Sequence, residues 1–184
     1  MSILEIIAAT MGVLSVWYAR KNNVLVFPTG IVSVLIYVYI TYSYQIYAEA
    51  GINIYYFLIS IYGWILWTSK NKKIKKRISK NNKRDNIIYL IFFVVLFFAL
   101  CLILNSTDSD IIFLDSITTA LSLTAMLLLA RRKLENWIYW IIADIIYIPL
   151  FIYKELYITS FQYFIFLILA ISGYKEWKKL LRND

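Results

Sequence analysis

The sequence predicts an all-α membrane protein with seven transmembrane helices. Seven long apolar runs alternate with short polar segments, and a helix that crosses a bilayer needs about 20 mostly apolar residues. All but one of the 19 Lys and Arg residues fall on one side of the resulting topology. The chain also repeats itself at an offset of 110 residues. These three observations predict the class, the orientation and an internal symmetry.

Each predicted span reaches or approaches the required length once its flanking residues are added. Hydrophobic residues make up 61% of the chain and the mean hydropathy is +0.68, both far above the values of a soluble domain. Only the sixth span holds a charged side chain, Asp144. The predicted spans are 6–19, 24–44, 52–67, 87–104, 116–130, 137–153 and 156–174.

The basic residues predict the orientation, because cytoplasmic loops of membrane proteins carry an excess of Lys and Arg. Only Lys154 lies on the side opposite the basic loop 69–86. We therefore expect a protein of the bacterial inner membrane with its amino terminus outside and its carboxyl terminus in the cytoplasm. Anionic lipid explains the net charge of +8 without a nucleic-acid partner. The basic residues of the loop are Lys70, Lys72, Lys73, Lys75, Lys76, Arg77, Lys80, Lys83 and Arg84.

Several functional classes are disfavoured by residues that the chain lacks. It has no histidine, no glycine-rich phosphate loop and a single cysteine, Cys101, which has no internal partner for a disulfide. No cofactor or metal is expected, and a membrane enzyme would need a nucleophile and base at close spacing that the sequence does not show. The first span lacks a small-residue cleavage site, so we interpret it as a retained helix.

The repeat at an offset of 110 residues relates spans one to three to spans five to seven. Four membrane crossings separate the starts of the two halves, so both have the same orientation, which predicts a parallel 3+1+3 arrangement with substrate near the midplane. The predicted units are 1–68, the basic loop 69–86 as a solvated connector, the linker helix 87–104, and 111–184. The matched pairs include Glu5 with Asp115, Tyr37 with Tyr147, Gly63 with Gly173, and Trp67 with Trp177.

Polar and aromatic side chains follow one face of the sixth span at steps of three and four residues. An ionisable side chain inside a bilayer costs about 2.5–3.5 kcal/mol and usually faces an interior cavity. Asp144 therefore marks the face that we expect to bind a ligand, although hydrogen bonding to Thr or Tyr hydroxyls is an alternative. The face contains Trp137, Trp140, Asp144, Tyr147 and Phe151.

Three other spans offer comparable faces, which would converge on a pocket with aromatic walls and a few polar groups. Each residue also has a structural alternative: helix packing, the interfacial aromatic belt for the tryptophans, or an ion pair for Asp115. The candidate binding residues on these faces are Asn53, Tyr56, Asp115, Gln162 and Phe166. The same faces carry Glu49, Ser60, Thr118, Thr119, Ser122 and Tyr163.

The segment Glu135-Asn136-Trp137-Ile138-Tyr139-Trp140 resembles the PnuC family of bacterial vitamin transporters, as do 114–126, 131–134, 62–64, 67, 173–174 and 177. The resemblance covers nearly the whole chain and implies a fold related to SWEET-type transporters. It also implies facilitated diffusion of nicotinamide riboside, or of thiamine or riboflavin in related branches, with trapping by cytoplasmic phosphorylation. The family pattern implies that Trp137 and Trp140 lie in the substrate pocket. Some relatives have asparagine where Asp144 aligns.

The chemistry of the residues agrees with a carrier for a cationic vitamin. A cation over a Trp or Tyr face gains about 0.5–2 kcal/mol, and Asp144 would neutralise its charge, while Asn53, Gln162 and tyrosine hydroxyls would bind ribose. Proton coupling through Asp115 or Asp144, thiamine as the substrate, and a scaffold without transport are the open alternatives. Expected partners are the substrate and membrane lipid, and a homo-oligomer such as a trimer stays open.

Overall fold

A computed structural model describes residues 3–71, 76–105 and 111–183 of the chain. Lys72, Lys73 and Lys75 of the basic loop lie outside the described residues, as do the outermost residues 1–2 and 184 of the predicted halves. The described part contains seven helices, each long and apolar enough to cross a membrane. The helices are α1 (Ile3–Arg20), α2 (Val26–Ser43), α3 (Tyr47–Thr68), α4 (Lys83–Leu104), α5 (Ile112–Ala130), α6 (Asn136–Tyr153) and α7 (Tyr157–Asn183).

Six of the helices form a closed circuit of contacts. Helix α1 packs on α2, α2 on α3, α3 on α5, α5 on α6, α6 on α7, and α7 returns to α1. Helix α4 stands outside this circuit and packs against α5. More than half of the residues of α5 are therefore buried, whereas only about a tenth of those of α1 and α4 are. The interior of the circuit is where side chains from α3, α5, α6 and α7 can meet.

Two tryptophans join the helix groups α1–α3 and α5–α7 at the end of the bundle that bears the basic loop. The indole nitrogen of Trp67 in α3 donates to the carbonyl oxygen of Ala130 at 3.1 Å. The indole nitrogen of Trp177 in α7 donates to the carbonyl oxygen of Ala19 at 3.0 Å. The two rings lie 6.1 Å apart, and each bond connects one helix group to the other.

Two glycines make room for aromatic rings in the same core. A Cβ on Gly63 would collide with the ring of Phe27, and a Cβ on Gly173 would lie 2.6 Å from the ring of Trp137. Such distances are well inside van der Waals contact, so any larger residue would have to displace the ring. Phe27 and Trp137 are almost completely buried as a result.

The turns that end the helices also agree at an offset of 110 residues. Asn22 and Arg132 have φ angles of 51° and 54°, and Gln45 and Glu155 have φ angles of 60° and 59°. Residues other than glycine seldom occupy this left-handed region. The same departure from ordinary backbone at matched positions shows that the two helix groups end their first and second helices in the same way.

The basic loop differs from the solvated connector that the sequence predicts. Ser79 donates its backbone N–H to the carbonyl of Arg132 at 3.0 Å and accepts from the N–H of Leu134 at 2.9 Å. The N–H of Asn81 donates to the Glu135 carboxylate at 3.0 Å. Residues 76–82 are thus docked against the turn between α5 and α6, because this turn offers backbone groups that a short parallel bridge can satisfy.

Charged side chains reinforce this docking. Lys133 pairs with Asp85 at 2.7 Å, and the Arg132 guanidinium lies 4.0 Å above the Trp67 ring. Burial lowers the pKa of Arg132 to about 10, which still leaves it charged at neutral pH. Helix α4 begins at Lys83, earlier than the predicted 87, because Asn82 and Asp85 form a capping box.

Candidate functional site

Tyrosines from three helices meet inside the circuit. Tyr147 of α6 and Tyr163 of α7 have ring centroids 4.5 Å apart, and Phe151 stacks on Tyr163 at 5.0 Å. Tyr56 of α3 lies close enough to the hydroxyls of Tyr147 and Tyr163 to interact with them electrostatically. Phe166 completes the group with an edge contact to Tyr163 at 5.6 Å. The aromatic walls that the sequence predicts are therefore formed by helices that lie far apart in the chain.

Hydroxyl groups of α5 face these tyrosines. Ser122 lies close to the hydroxyls of both Tyr56 and Tyr147, and Thr118 is also a neighbour of Tyr147. Ser122 and Thr118 are buried, and each hydroxyl donates to a carbonyl of its own helix. Each of these oxygens can also accept a hydrogen bond. The hydroxyls of α5 and the neighbouring tyrosine hydroxyls are therefore suited to hydrogen-bond a polar ligand.

The three tyrosines keep part of their surface accessible. Tyr56, Tyr147 and Tyr163 are each half-buried. Together with the hydroxyls of α5 they form an aromatic and polar face inside the circuit of helices.

Asp144 is the most unusual residue of this site. It lies in the middle of α6 with 2% of its surface exposed, close enough to Tyr163 to influence its hydroxyl. Within residues 3–71, 76–105 and 111–183, no group hydrogen-bonds or pairs with its carboxylate. A buried carboxylate without a protein partner costs free energy, so this position suits a group that binds a cation or takes up a proton.

The two tryptophans of α6 occupy different environments. Trp137 has 1% of its surface exposed and packs edge-on against Trp177, with ring centroids 5.6 Å apart. It belongs to the aromatic core and not to an interfacial belt. Its indole nitrogen has no hydrogen-bond partner in the described part of the chain. Trp140 lies one turn further along α6, is only half-buried, and packs against the edge of the same core.

The remaining candidates are dispersed. Asn53 donates its side-chain amide to the backbone carbonyl of Glu49 in its own helix at 2.9 Å. Gln162 is half-buried on α7, and its amide has no bond to any of the residues described here. Asp115 binds Lys154 through both carboxylate oxygens, at 2.7 and 3.0 Å. The ion-pair alternative for Asp115 is therefore what the structure shows.

A family model described as nicotinamide mononucleotide transporter matches residues 2–179. The chain belongs to this family. The nicotinamide riboside transporter PnuC of Escherichia coli K12 is 25% identical over 96% of this chain and 85% of its own length. The transporter of the same name from Neisseria mucosa is 24% identical over 98% of this chain and 73% of its own length.

A solved structure, the crystal structure of the vitamin B3 transporter PnuC, has the same fold. It superimposes with a TM-score of 0.76 at 24% identity and covers 98% of this chain and 82% of that chain. These findings confirm the resemblance to the PnuC family and the all-helical membrane fold. Because this family and its named members are transporters, the chain is a multi-pass transporter of the inner membrane and not a membrane enzyme.

Sequence analysis of this transporter placed Tyr163, Ser122 and Glu49 on polar faces but did not select them as binding residues. Tyr163 nevertheless contacts more members of the aromatic group than any other candidate. Helical periodicity could identify the face but not its neighbours, since these come from other helices. The ion pair of Asp115 could have been predicted from the sequence. Lys154 is the only basic residue expected on the outer side, so it was the natural partner for an acidic residue there.

Proposed function

We propose that the protein is a passive transporter of nicotinamide riboside. The observation that carries this proposal is the buried carboxylate of Asp144, which has no partner among the described residues and lies beside the group formed by Tyr56, Tyr147 and Tyr163. Nicotinamide riboside combines a positive pyridinium ring with a polar ribose. A carboxylate in a low-dielectric site stabilises the positive ring, aromatic faces add a cation–π contribution, and the hydroxyls suit the ribose.

The charges of the site favour the riboside over its phosphorylated form. The ionisable side chains that influence Tyr163 from outside the tyrosine group are Asp144 and Glu49, both acidic. A phosphate group would add negative charge to a site that already holds carboxylates, and like charges repel strongly where the dielectric is low. The relatives named as riboside transporters agree with this choice, whereas the description of the family model names the mononucleotide.

The proposed binding residues divide by chemistry. Asp144 neutralises the ring charge and Trp140 stacks on the ring, with Tyr147 and Phe166 forming the adjacent wall. Trp137 remains in the set because its indole N–H lacks a partner among the described groups. Hydrogen bonds to ribose come from Asn53, Tyr56 and Gln162. Asp115 belongs to the outer end of the site, where Lys154 neutralises its charge, so we expect it to contribute little to the attraction of a cationic substrate.

We also propose the parallel 3+1+3 arrangement of the SWEET type, with substrate held between the two groups of three helices. The reciprocal hydrogen bonds of Trp67 and Trp177 and the matched turn geometries support it. In this arrangement α4 is the additional membrane crossing that lets α5 start on the same side of the membrane as α1. A homo-oligomer such as a trimer remains a prediction.

The proposed orientation places the amino terminus outside and residues 76–82 in the cytoplasm. Lys80 is exposed, whereas Ser79 is bound through its backbone to the turn after α5, so Lys80 is the better position for a labelling test. A cysteine at Lys80, in a background where Cys101 is replaced by serine, should resist an impermeant thiol reagent in intact cells and react after lysis. Labelling in intact cells would reverse the proposed orientation.

The passive mechanism is tested with purified protein in sealed vesicles. Radiolabelled nicotinamide riboside should equilibrate across the membrane without accumulating, whereas an enclosed kinase and ATP should produce accumulation as the phosphorylated form. Accumulation on an imposed proton gradient alone would instead favour proton coupling, which the unpartnered Asp144 makes the second candidate. Thiamine, also a cationic heterocycle, is measured in parallel, and tighter binding of thiamine would change the proposed substrate.

A further inference from the structure

Two seams join the helix groups α1–α3 and α5–α7, and they are held unequally at the end that bears the basic loop. The α3–α5 seam is the contact of α3 with α5, and the α1–α7 seam is the contact of α7 with α1. Each seam has one matched hydrogen bond from an indole nitrogen. Trp67 donates to Ala130 across the first, and Trp177 donates to Ala19 across the second. The bonds beyond this matched pair differ between the seams.

The segment 76–82 reinforces the α3–α5 seam. The backbone of Ser79 forms two hydrogen bonds with the turn between α5 and α6. The Arg132 guanidinium of this turn donates to the carbonyl of Lys76 at 2.8 Å, and Lys76 donates its own N–H to the carbonyl of Leu66 near the end of α3 at 3.2 Å. The segment therefore links the end of α3 to the end of α5.

The same seam is also bonded deeper in the bundle. The Tyr55 hydroxyl of α3 donates to the carbonyl of Leu123 in α5 at 3.0 Å. Both residues lie near the middles of their helices. Hydrogen bonds thus hold the α3–α5 seam from the end of the bundle with the basic loop to its middle.

Fewer bonds between described residues hold the α1–α7 seam at this end. Besides the bond of Trp177, Arg20 pairs with Glu176 at 2.8 Å, and both side chains are partly exposed. A pocket of about 540 Å³ lies between the ends of the two helices, which are therefore not closely packed there. The pocket is lined by Lys21, Glu176, Lys179 and Leu180.

Helix α1 is also bonded to its neighbour in its own helix group. The Ser15 hydroxyl donates to a carbonyl of α2, and the Ser33 hydroxyl of α2 donates to a carbonyl of α1. A group of helices that moves as a body keeps the contacts inside the group and breaks those at its boundary. Movement is therefore expected at the boundary with the fewest bonds, which is the α1–α7 seam.

We propose that the end of the bundle with the basic loop opens at the α1–α7 seam to release substrate, while the α3–α5 seam stays closed and serves as the hinge. The inference rests on the proposed transport, because a carrier that holds substrate near the midplane has to open toward each side in turn. Opening the α1–α7 seam breaks the bond of Trp177 and the ion pair of Arg20 with Glu176. Opening the α3–α5 seam would also undock segment 76–82.

Reversible cross-links test which seam has to open. In a Cys101→Ser background, one variant carries Arg20→Cys with Glu176→Cys, and the matched control carries Lys76→Cys with Arg132→Cys. Each pair of positions is joined by a hydrogen bond of 2.8 Å, across the α1–α7 seam in the first variant and across the α3–α5 seam in the control. A short bis-methanethiosulfonate reagent joins each cysteine pair, and a reducing agent releases it.

Each variant is compared with itself before cross-linking, after cross-linking and after reduction. The cross-link across the α1–α7 seam should lower initial uptake of nicotinamide riboside into vesicles about tenfold or more, because the seam can no longer open. Reduction should restore the uptake. The control cross-link should leave uptake within about twofold, because a hinge keeps its contacts. Full uptake with the first cross-link, or loss of uptake with the control cross-link, would overturn the inference.

Distances between spin labels test the same opening without substrate. A passive carrier exchanges thermally between its states, so both are populated when no substrate is bound. Labels at the exposed positions Lys21 and Lys179 should show two populations of distance, whereas labels at the exposed positions Thr68 and Ile138 should show one. A single population for the first pair, or two for the second, would overturn the inference. Absence of nicotinamide riboside uptake by the Cys101→Ser protein would instead overturn the proposed substrate, and the distances would still decide which seam opens.

Discussion

Helices α2 and α6 occupy matched positions in the two groups of three helices but carry opposite chemistry. Where α6 has Trp140 and Asp144, α2 has Gly30 and a valine at position 34. Helix α2 packs tightly on α1, since a Cβ on Gly30 would lie 3.0 Å from the Ser15 hydroxyl. Small residues in α2 thus serve close helix packing, whereas α6 carries the large polar and aromatic residues of the proposed site.

Hydrogen bonds strengthen the contrast between the two helix pairs. The Ser15 hydroxyl donates to the carbonyl of Val26 at 2.7 Å, and the Ser33 hydroxyl donates to the carbonyl of Ala8 at 2.8 Å. These two hydroxyls between α1 and α2 are therefore satisfied within the protein. Asp144 of α6 is not satisfied by the described residues. The comparison teaches that two helices at matched positions can differ in chemistry, with one satisfied by close packing and the other carrying a buried carboxylate that the described residues leave unpaired.

The largest effect is expected where the two halves are most alike, at the glycines that accommodate aromatic rings. Gly63→Val and Gly173→Val should each destabilise the protein by about 2–3 kcal/mol, because the new side chain would overlap Phe27 or Trp137. Thermal unfolding in detergent measures this change. Gly51→Val is the control, since nothing lies within 4 Å of its Cβ position. A large loss of stability in only one of the two glycine variants would show that the two glycines do not have equivalent packing roles.

The next effect tests the polar asymmetry. Asp144→Asn should weaken nicotinamide riboside binding by about 2 kcal/mol, roughly thirtyfold, because the carboxylate no longer balances the ring charge. The neutral 1,4-dihydropyridine form of nicotinamide riboside should lose much less. Calorimetric titration measures both affinities, and thermal unfolding should show equal or greater stability, because an unpartnered buried charge has been removed. Equal weakening of the two ligands would show that Asp144 does not recognise charge.

A smaller effect is expected for the stacking tryptophan. Trp140→Ala should cost about 1–2 kcal/mol of binding free energy, or roughly tenfold in affinity, through loss of the cation–π contact, and Trp140→Phe should retain part of it. Trp17→Phe, on α1 outside the tyrosine group, provides a comparison tryptophan whose ring packs against Tyr18. Full affinity in both Trp140 variants would assign this residue to packing.

The smallest effect concerns the reciprocal hydrogen bonds between the halves. Trp67→Phe and Trp177→Phe should each cost about 1 kcal/mol of stability beyond the loss of ring area, because the carbonyls of Ala130 and Ala19 lose their indole donors. Trp67→Phe should cost more of the two, since Arg132 also stacks on Trp67. Chemical denaturation of both variants measures the difference. A larger loss for Trp177→Phe would contradict the contribution of Arg132.

Sequence reasoning was accurate where the signal is local. Hydropathy located the seven spans because each span has to be apolar along its own length, whatever its neighbours are. It placed the start of α4 too late, since the charged residues of a capping box lower hydropathy while they begin a helix. It also predicted that the whole basic loop 69–86 is a solvated connector, because composition cannot show that the α5–α6 turn offers backbone partners to residues 79 and 81.

The sequence by itself determined the membrane class, the number of spans and the family, since apolar length and short motifs can be read along one chain. The tertiary structure alone decided which polar faces meet. Helix α3 packs on α5 while α4 remains outside, and this packing brings Tyr56, Ser122 and Tyr147 together. It also separates Trp137 in the core from Trp140 at the core edge. Periodicity orients a side chain on its own helix, but only packing between helices chooses its neighbours.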